Sequence, residues 1–412
     1  MGYTQQEPPD PIGSPNEKIE VPHKDWPLVF REEYRRALVA QGIEGDMADK
    51  LSKAFSQAAH LGNFQGLNYR AIETWANMHT HPEGDSGGDN GDGDLEGISD
   101  PANMTLIGSL GGSAFMSPYG AHIIGDYTYI TDVVADGLHI VDISDPTSPT
   151  LAGSVTSNSL DGAREFVISG DYAYVACSNS DALTIVDISD PANPSIVGTV
   201  STTDLDSSYD VKVSDRYAYV VAGASDSLVV VDVLEPSTPS QVGVVSDASW
   251  LNFAYGVDVA GNYAFVAAYS SHRLTSVDIS DPENPTLAGS VASSSELNNA
   301  SAVVVSGDYA YVAAAGANRL TIVDISNPEN LTIAGSINHD ALDGPYGLTK
   351  VGSYVYLACV NQLTVVDVTD PATPIMAGTL ESGSFDLLRG VAVDQGIAIV
   401  TSYNSDDIHI IE

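Results

Sequence analysis

The chain has 412 residues and a formal net charge of −40, from 15 Lys and Arg against 55 Asp and Glu. A surface this acidic repels nucleic acid and anionic lipid, so neither is an expected partner, and no stretch approaches the ~20 apolar residues that a membrane span requires. The charge is uneven: residues 1–83 hold 8 basic against 12 acidic residues, and residues 84–412 hold 7 against 43.

Residues 1–24 are rich in Pro and polar side chains, lack hydrophobic periodicity and predict an extended N-terminal arm. The opening Met1-Gly2-Tyr3-Thr4-Gln5-Gln6 has neither the basic nor the apolar region of a signal peptide, and none is expected. Residues 25–83 predict a small α-helical domain. Asp25-Trp26-Pro27 has the form of a helix start, followed by an apolar stripe of Val29, Phe30, Tyr34, Ala37 and Leu38 and a stop at Gly42. Met47, Leu51, Ala54, Phe55 and Ala58, then Leu67, Ile72, Trp75 and Met78, keep helical spacing in two further short helices. Three such helices close only a marginal core. Two of the chain's 3 tryptophans, Trp26 and Trp75, lie in this piece. It is therefore expected to dock through Trp26, Phe30, Tyr34, Phe55 and Trp75 onto other copies or onto proteins of a larger assembly.

Residues 84–96 form an acidic Gly/Asp stretch that reads as a self-repelling linker. Asp85, Asp89 and Glu96 fall at positions 1, 5 and 12 of a calcium loop, but Gly87 lacks the third ligand and Asn90 stands where the turn glycine belongs. Calcium at these three residues is the alternative to a plain linker, and no other metal or cofactor is expected.

From residue 97 onward one sentence repeats: Val-Asp-Ile-Ser-Asp-Pro-x-x-Pro, then an apolar run ending in Gly-Ser/Thr-Val. Its acidic-Pro step recurs at Asp100, Asp145, Asp190, Glu235, Asp281 and Asp370, with Asn327 once in place of the acid, at spacings of 45, 45, 45, 46, 46 and 43 residues. That period belongs to four-stranded blades. The last residues, Ile408 to Glu412, align with Leu183 to Asp187, and the Ile that should follow is supplied by Ile98, which restores a seventh spacing of 45. The expected fold is all-β: a seven-bladed β-propeller over 97–412, closed by an N-terminal strand. Such a ring leaves no free sheet edge at the seam. In one blade the strands are placed at about 163–168, 172–176, 183–188 and 195–200, and the Asp column at Asp142, Asp187, Asp232, Asp278, Asp324 and Asp367 is read as scaffold.

These copies resemble LVIVD repeats, carried by Leu183-Thr184-Ile185-Val186-Asp187, Leu228-Val229-Val230-Val231-Asp232 and Leu363-Thr364-Val365-Val366-Asp367. The resemblance covers about residues 97–412 and leaves 1–83 outside it. It implies a propeller in a surface or extracellular setting, and it brings no established reaction and no catalytic residue.

Function is sought where the repeat breaks its own rule. The loops from each outer strand to the next inner strand align as an apolar plug (Phe115, Leu160, Leu205, Leu251, Leu297, Leu342, Phe385), then a turn-forming column (Met116, Asp161, Asp206, Asn252, Asn298, Asp343, Asp386). Three positions further stand Tyr119, Arg164, Tyr209, Tyr255, Ser301, Tyr346 and Arg389, expected to ring the mouth of the central channel. Aromatic faces, hydroxyls and forked cations suit a sugar bearing a carboxylate or sulfate. Trp250 belongs to no column and reads as a contact anchor or as loop packing. Cys177 and Cys359 sit in blades that are not neighbours and are not expected to pair.

No enzyme motif is present: no Gly-x-Ser-x-Gly elbow, no His-Glu-x-x-His and no phosphate loop. The histidines His122, His139, His272, His339 and His409 are read as occupying different repeat positions. The expectation is a non-enzymatic structural and binding protein, multicopy or homo-oligomeric, whose N-terminal part docks to a larger assembly. A virion is the first setting, as a phage capsid or tail appendage whose propeller attaches to a host glycan, receptor or protein. The alternatives are a surface adhesion or scaffold protein of a marine or halophilic microbe, extracellular or at the cell surface, and a hydrolase acting at the propeller mouth.

Overall fold

Each repeat becomes one four-stranded antiparallel sheet, and seven such sheets make a β-propeller in the computed structural model, which describes residues 97–412. The arm, the helical domain with Trp26, Phe30, Tyr34, Phe55 and Trp75, and the linker with Asp85, Asp89 and Glu96 lie outside the described residues. The inner strands of blades 1 to 7 are Pro118–Ile124, Ala163–Ser169, Ser208–Ser214, Ala254–Ala260, Ala300–Ser306, Gly347–Val351 and Leu388–Asp394. Blade 2 continues outward through Tyr172–Cys177, Ala182–Asp187 and Ser195–Ser201, each bound within a residue of its place in the repeat. In blade 7 the inner strand is followed by Ile397–Ser402 and Asp407–Ile411, and Leu106–Leu110 lies outermost, with Leu110 opposite Ile408 and Leu106 opposite Ile411. Thr105 and Glu412 exchange both backbone hydrogen bonds, at 2.9 and 3.0 Å.

The burial pattern follows from the architecture. Second and third strands are sandwiched between neighbouring blades, so both faces are covered and the sequence is apolar almost without break, as in Leu183 to Val186. Outer strands have one covered side and alternate instead. The hydrophobic clusters lie between blades: Val167, Leu183 and Ile185 of blade 2 pack against Val211, Val220 and Val229 of blade 3. Because stability is built between neighbours, the axis is left as an open channel that apolar and charged residues line together.

The glycine of each Gly-Ser/Thr-Val run has a steric reason. A Cβ on Gly153, Gly198, Gly243, Gly289, Gly335, Gly378 or Gly108 would collide with the Pro carbonyl of the next blade's acidic-Pro turn. Blade 6 meets Pro101 in this way and blade 7 meets Pro146, so the contact is repeated around the whole ring. A second latch joins the opposite loops: the N–H groups of Ser207 and Phe253 donate to Asp181 and Asp226 of the preceding blade at 2.9 and 2.8 Å.

Candidate functional site

The acidic-Pro face is scaffold. Asp142 accepts hydrogen bonds from the Ser144 backbone N–H and hydroxyl at 2.9 and 2.6 Å, and Asp187, Asp324 and Asp367 repeat the arrangement. Side-chain and backbone donors two residues on hold Asp142, Asp278, Asp324 and Asp367 below the usual carboxylate range. These are turn-forming bonds of a kind that short acids make locally. On the other face the plug column is buried throughout, from Phe115 to Phe385. The neighbouring Asp and Asn side chains tie their own loops, as Asp161 does to Asn179 at 2.9 Å and Asp386 to Asn404 at 3.1 Å.

The mouth column converges on the axis, and its members touch one another. The Tyr119 and Tyr255 hydroxyls, from blades 1 and 4, meet at 2.6 Å, and Tyr119 is only 3 % exposed. Arg164 lies over Tyr119 and Tyr209, 5.3 and 4.6 Å from the ring centroids, and its Nε donates to Ser178 at 2.8 Å. Arg389 lies over Tyr346 at 3.7 Å, with Tyr403 and Tyr119 further off at 5.5 and 6.0 Å. Tyr209 stacks on Tyr255 at 4.5 Å. Ser301 is turned away, bonded to the Ala313 and Pro345 carbonyls. Two threonines of the second strands fix the entry: Thr131 donates to the Arg164 carbonyl and Thr401 to the Tyr119 carbonyl, both at 2.5 Å. Burial raises the Tyr119 and Tyr255 hydroxyls above their ordinary range, so both keep their protons. For Arg164, burial works against the charge, but Tyr119, Tyr255 and Tyr209 outweigh it and the guanidinium is held more firmly charged.

Beneath this layer a cavity of about 240 Å³ follows the inner strands, lined by Tyr119, Tyr255, Tyr346 and Arg389 at one end and by Ile124, Ile168, Lys350 and Val393 at the other. Glu165, Asp210, Lys212, Asp258 and His122 form one wall. Asp210 accepts from the Val211 and Val257 N–H groups at 2.7 and 2.9 Å, and Asp258 from Val259 and Val305 at 2.9 and 2.6 Å, so each acid bridges to the next blade. The Lys212 ammonium is 4.0 Å from Asp258. Desolvation pushes Glu165 up to about 8, with Asp210 adding to it, and Asp210 up to about 6. The same burial drives His122 down to about 4, with Lys212 adding to it, while its Nε2 pairs with the Phe166 carbonyl at 2.9 Å.

The mouth column was legible from alignment of the loops, whereas several partners were not. Tyr269, Tyr403 and Phe253 join the aromatic layer, with Tyr255 and Tyr269 5.5 Å apart and Tyr209 and Phe253 5.2 Å apart. Tyr269 and Tyr403 stand where other blades have Ser178 or Gly223 after the second strand, so the same alignment extended to that position was the available signal. Glu165, Asp210, Lys212 and Asp258 break the small or apolar rule of the inner strands, which was a signal too. Trp250 is half-buried, packs on the apolar cluster between blades 3 and 4, and has Arg273 over its ring at 5.7 Å. One reading is corrected. His139 and His409 occupy the same repeat position, each on a third strand opposite Ile130 or Val400 and beside a plug Phe, Phe115 at 5.3 Å and Phe385 at 4.9 Å. A larger plug and a flat imidazole replace the Leu and Thr of blade 2, where Thr184 donates to the Ser159 carbonyl at 2.6 Å. No group of three metal-ligating side chains forms among the described residues. Cys177 and Cys359 are buried and free, and desolvation pushes both thiols up to about 12.

The family model described as LVIVD repeat matches residues 121–157, 162–202, 207–247, 253–293, 298–339 and 350–381. No curated protein matches the chain. Among solved structures, a protein of unknown function from Desulfotomaculum acetoxidans DSM 771 is 14 % identical, with a TM-score of 0.51, 64 % of this chain and 88 % of that chain covered. The computationally designed Ika8 protein is 9 % identical, with a TM-score of 0.53 and coverage of 74 % and 98 %. Hydrazine synthase of Kuenenia stuttgartiensis is 14 % identical, with a TM-score of 0.56 and coverage of 72 % and 95 %. At these identities the likeness is one of fold alone.

Proposed function

This chain belongs to the LVIVD repeat family, and from that premise we propose that it is a non-enzymatic binding protein whose propeller is a rigid head for an acidic glycan. Residues 1–83 dock it, in several copies, on a larger assembly, and a virion carrying it as a capsid or tail appendage is the setting that fits a docked head on an acidic tether. The observation that carries the ligand half of this reading is the gathering of Arg164 and Arg389 among tyrosines at one end of the axis. Residues 97–412 contain 7 basic against 38 acidic residues, a balance of −31, so two guanidiniums at one mouth stand out against the rest of the domain. Stacked tyrosines supply flat faces for a sugar ring, and the guanidiniums supply donors for its acid group. On the same side of blade 1, Met116 and Val134 are 55 % and 50 % exposed where blade 2 has Asp161 and Asn179, an apolar border to the mouth.

The test offers the full chain neutral, carboxylated and sulfated oligosaccharides of matched length. Binding confined to the acidic members, and weakened about tenfold by Arg164→Gln, supports the reading. Equal retention of neutral sugars, or none of any, overturns it. The docking half is tested separately by light scattering: the full chain forms a defined oligomer or binds particles, and the chain starting near Gly84 is monomeric.

A further inference from the structure

The inner strands hold four of the seven Lys and Arg of residues 97–412, namely Arg164, Lys212, Lys350 and Arg389, but only Glu165, Asp210, Asp258 and Asp394 of the 38 acids. More than half of the cations and about a tenth of the acids are thus on the axis, the reverse of the domain as a whole. Within the cavity lining, Lys212, Lys350 and Arg389 face Glu165, Asp210 and Asp258, a formal balance of zero. Burial raises Glu165 above its ordinary range, which moves the balance away from negative. An interior with no formal excess of acid inside a −31 domain is an unusual place, and low-dielectric walls strengthen the field of its cations.

Three of these cations have partners. Arg164 donates to Ser178, Lys212 faces Asp258, and Lys350 donates to the Gly352 carbonyl at 2.7 Å. Arg389 differs. Its Nε and Nη1 are buried without an acceptor. The Tyr346 ring covers a face of the guanidinium, but guanidinium N–H groups point outward in the plane, where a π face cannot accept them. Buried donors of a charged group left unpaired cost free energy of a size that native proteins avoid. The tyrosine bridge adds another donor: in the Tyr119–Tyr255 pair one hydroxyl gives its proton to the other, and the second hydroxyl proton remains for a further acceptor. Both hydroxyls are kept protonated by burial. Donors of Arg389 and of the tyrosine bridge therefore lie at one end of the chamber, and the two buried guanidinium N–H groups have no acceptor there.

We propose that the channel chamber is a binding site for a small oxyanion, a carboxylate, sulfate or phosphate, held beneath the Tyr119–Tyr255 bridge by Arg389. The ion enters along the channel from the C-terminal ends of the inner strands, because the buried Tyr119 and its hydroxyl contact with Tyr255 obstruct the mouth side. A chamber of about 240 Å³ has room for such an ion with part of its hydration. The site lies below the face proposed for glycans and shares Arg389 with it, and Arg164, which is absent from the chamber lining, belongs to the mouth alone.

The full chain is titrated by calorimetry with sodium sulfate, phosphate and acetate, against sodium chloride at equal ionic strength. Saturable binding of at least one oxyanion, with a thermal stabilisation that chloride does not produce, is the expected result. Arg389→Gln raises Kd about tenfold or more, Arg389→Lys retains most of the affinity, and Arg216→Gln, on the surface beside Asp232, changes nothing. Should Arg389→Gln fail to fold, saturable calorimetric binding by the wild type decides alone, because sulfate and phosphate stabilise folded proteins over chloride without a site. No saturable binding by the wild type, or an unchanged isotherm in folded Arg389→Gln, overturns the proposal. Failure of the glycan test with a positive sulfate titration would leave the chamber intact and remove only the mouth.

Discussion

The acidic-Pro face and the channel use the same residue type in opposite ways. On that face Asp142, Asp278, Asp324 and Asp367 sit in water, accept bonds from Ser or Thr two residues on, and are held below their ordinary range. On the axis Asp258 is buried and Asp210 and Glu165 are half-buried, and desolvation shifts all three upward despite the Lys212 ammonium among them. The first set is repeated blade after blade and serves local turns. The second occurs only in blades 2 to 4, where Asp210 and Asp258 bond to the next blade. Repetition marks what the fold needs, and its interruption marks what this chain has added.

That contrast predicts a ranking. The largest effect is expected where a repeated contact is filled: Gly243→Val drives its side chain into the Pro282 carbonyl and destabilises by about 3 kcal/mol or more, read by urea denaturation. A loss below 1 kcal/mol would mean that neighbouring blades yield easily. Next is Asp258→Ala, which leaves Lys212 without its nearest counter-charge and the Val305 N–H without its acceptor. A cost of about 3 kcal/mol is expected at pH 7, and Lys212→Met in the same chain should recover part of it.

The pH profile separates the two regions by sign. Folding lowers His122 from 6.5 to about 4, so the unfolded chain binds the proton first and stability is lost as pH falls from about 6.5 towards 4. Glu165 moves the other way, from 4.5 to about 8, so the folded chain keeps the proton longer and stability is lost as pH rises across that interval. Melting temperatures from pH 4 to 9 should therefore flatten on the acid side in His122→Gln and on the alkaline side in Glu165→Gln. The same slopes in variants and wild type would show that neither group titrates inside the fold. The smallest effect belongs to the exposed turns: Asp324→Ala loses one Ser326 cap in solvent and costs about 0.5–1 kcal/mol by denaturant titration.

Much of the mouth was visible before the fold, because a repeat aligns its own loops. Tyr119, Arg164, Tyr209, Tyr255, Tyr346 and Arg389 stand in one column, and a column in a ring converges on the axis. What the column could not convey is how its members use one another. Tyr119 and Tyr255 are 136 residues apart and meet only because blades 1 and 4 face each other across the channel. Trp250 belongs to no column, and its packing depends on a neighbour, Arg273, that lies on the third strand of its own blade. His139 and His409 share a position that a plain count of histidines conceals, since the chain ends within the blade that carries the second of them.

Local and periodic information determined the blades, their strands, the acidic-Pro turns and the glycine beside each turn, because strand alternation, turn chemistry and steric exclusion act over a few residues and are written again in every copy. Tertiary structure alone decided the tyrosine bridge, the unpaired Arg389 and the shifted carboxylates of the chamber. Those depend on burial and on distances between chains of residues from different blades, and such quantities exist only once the ring has formed.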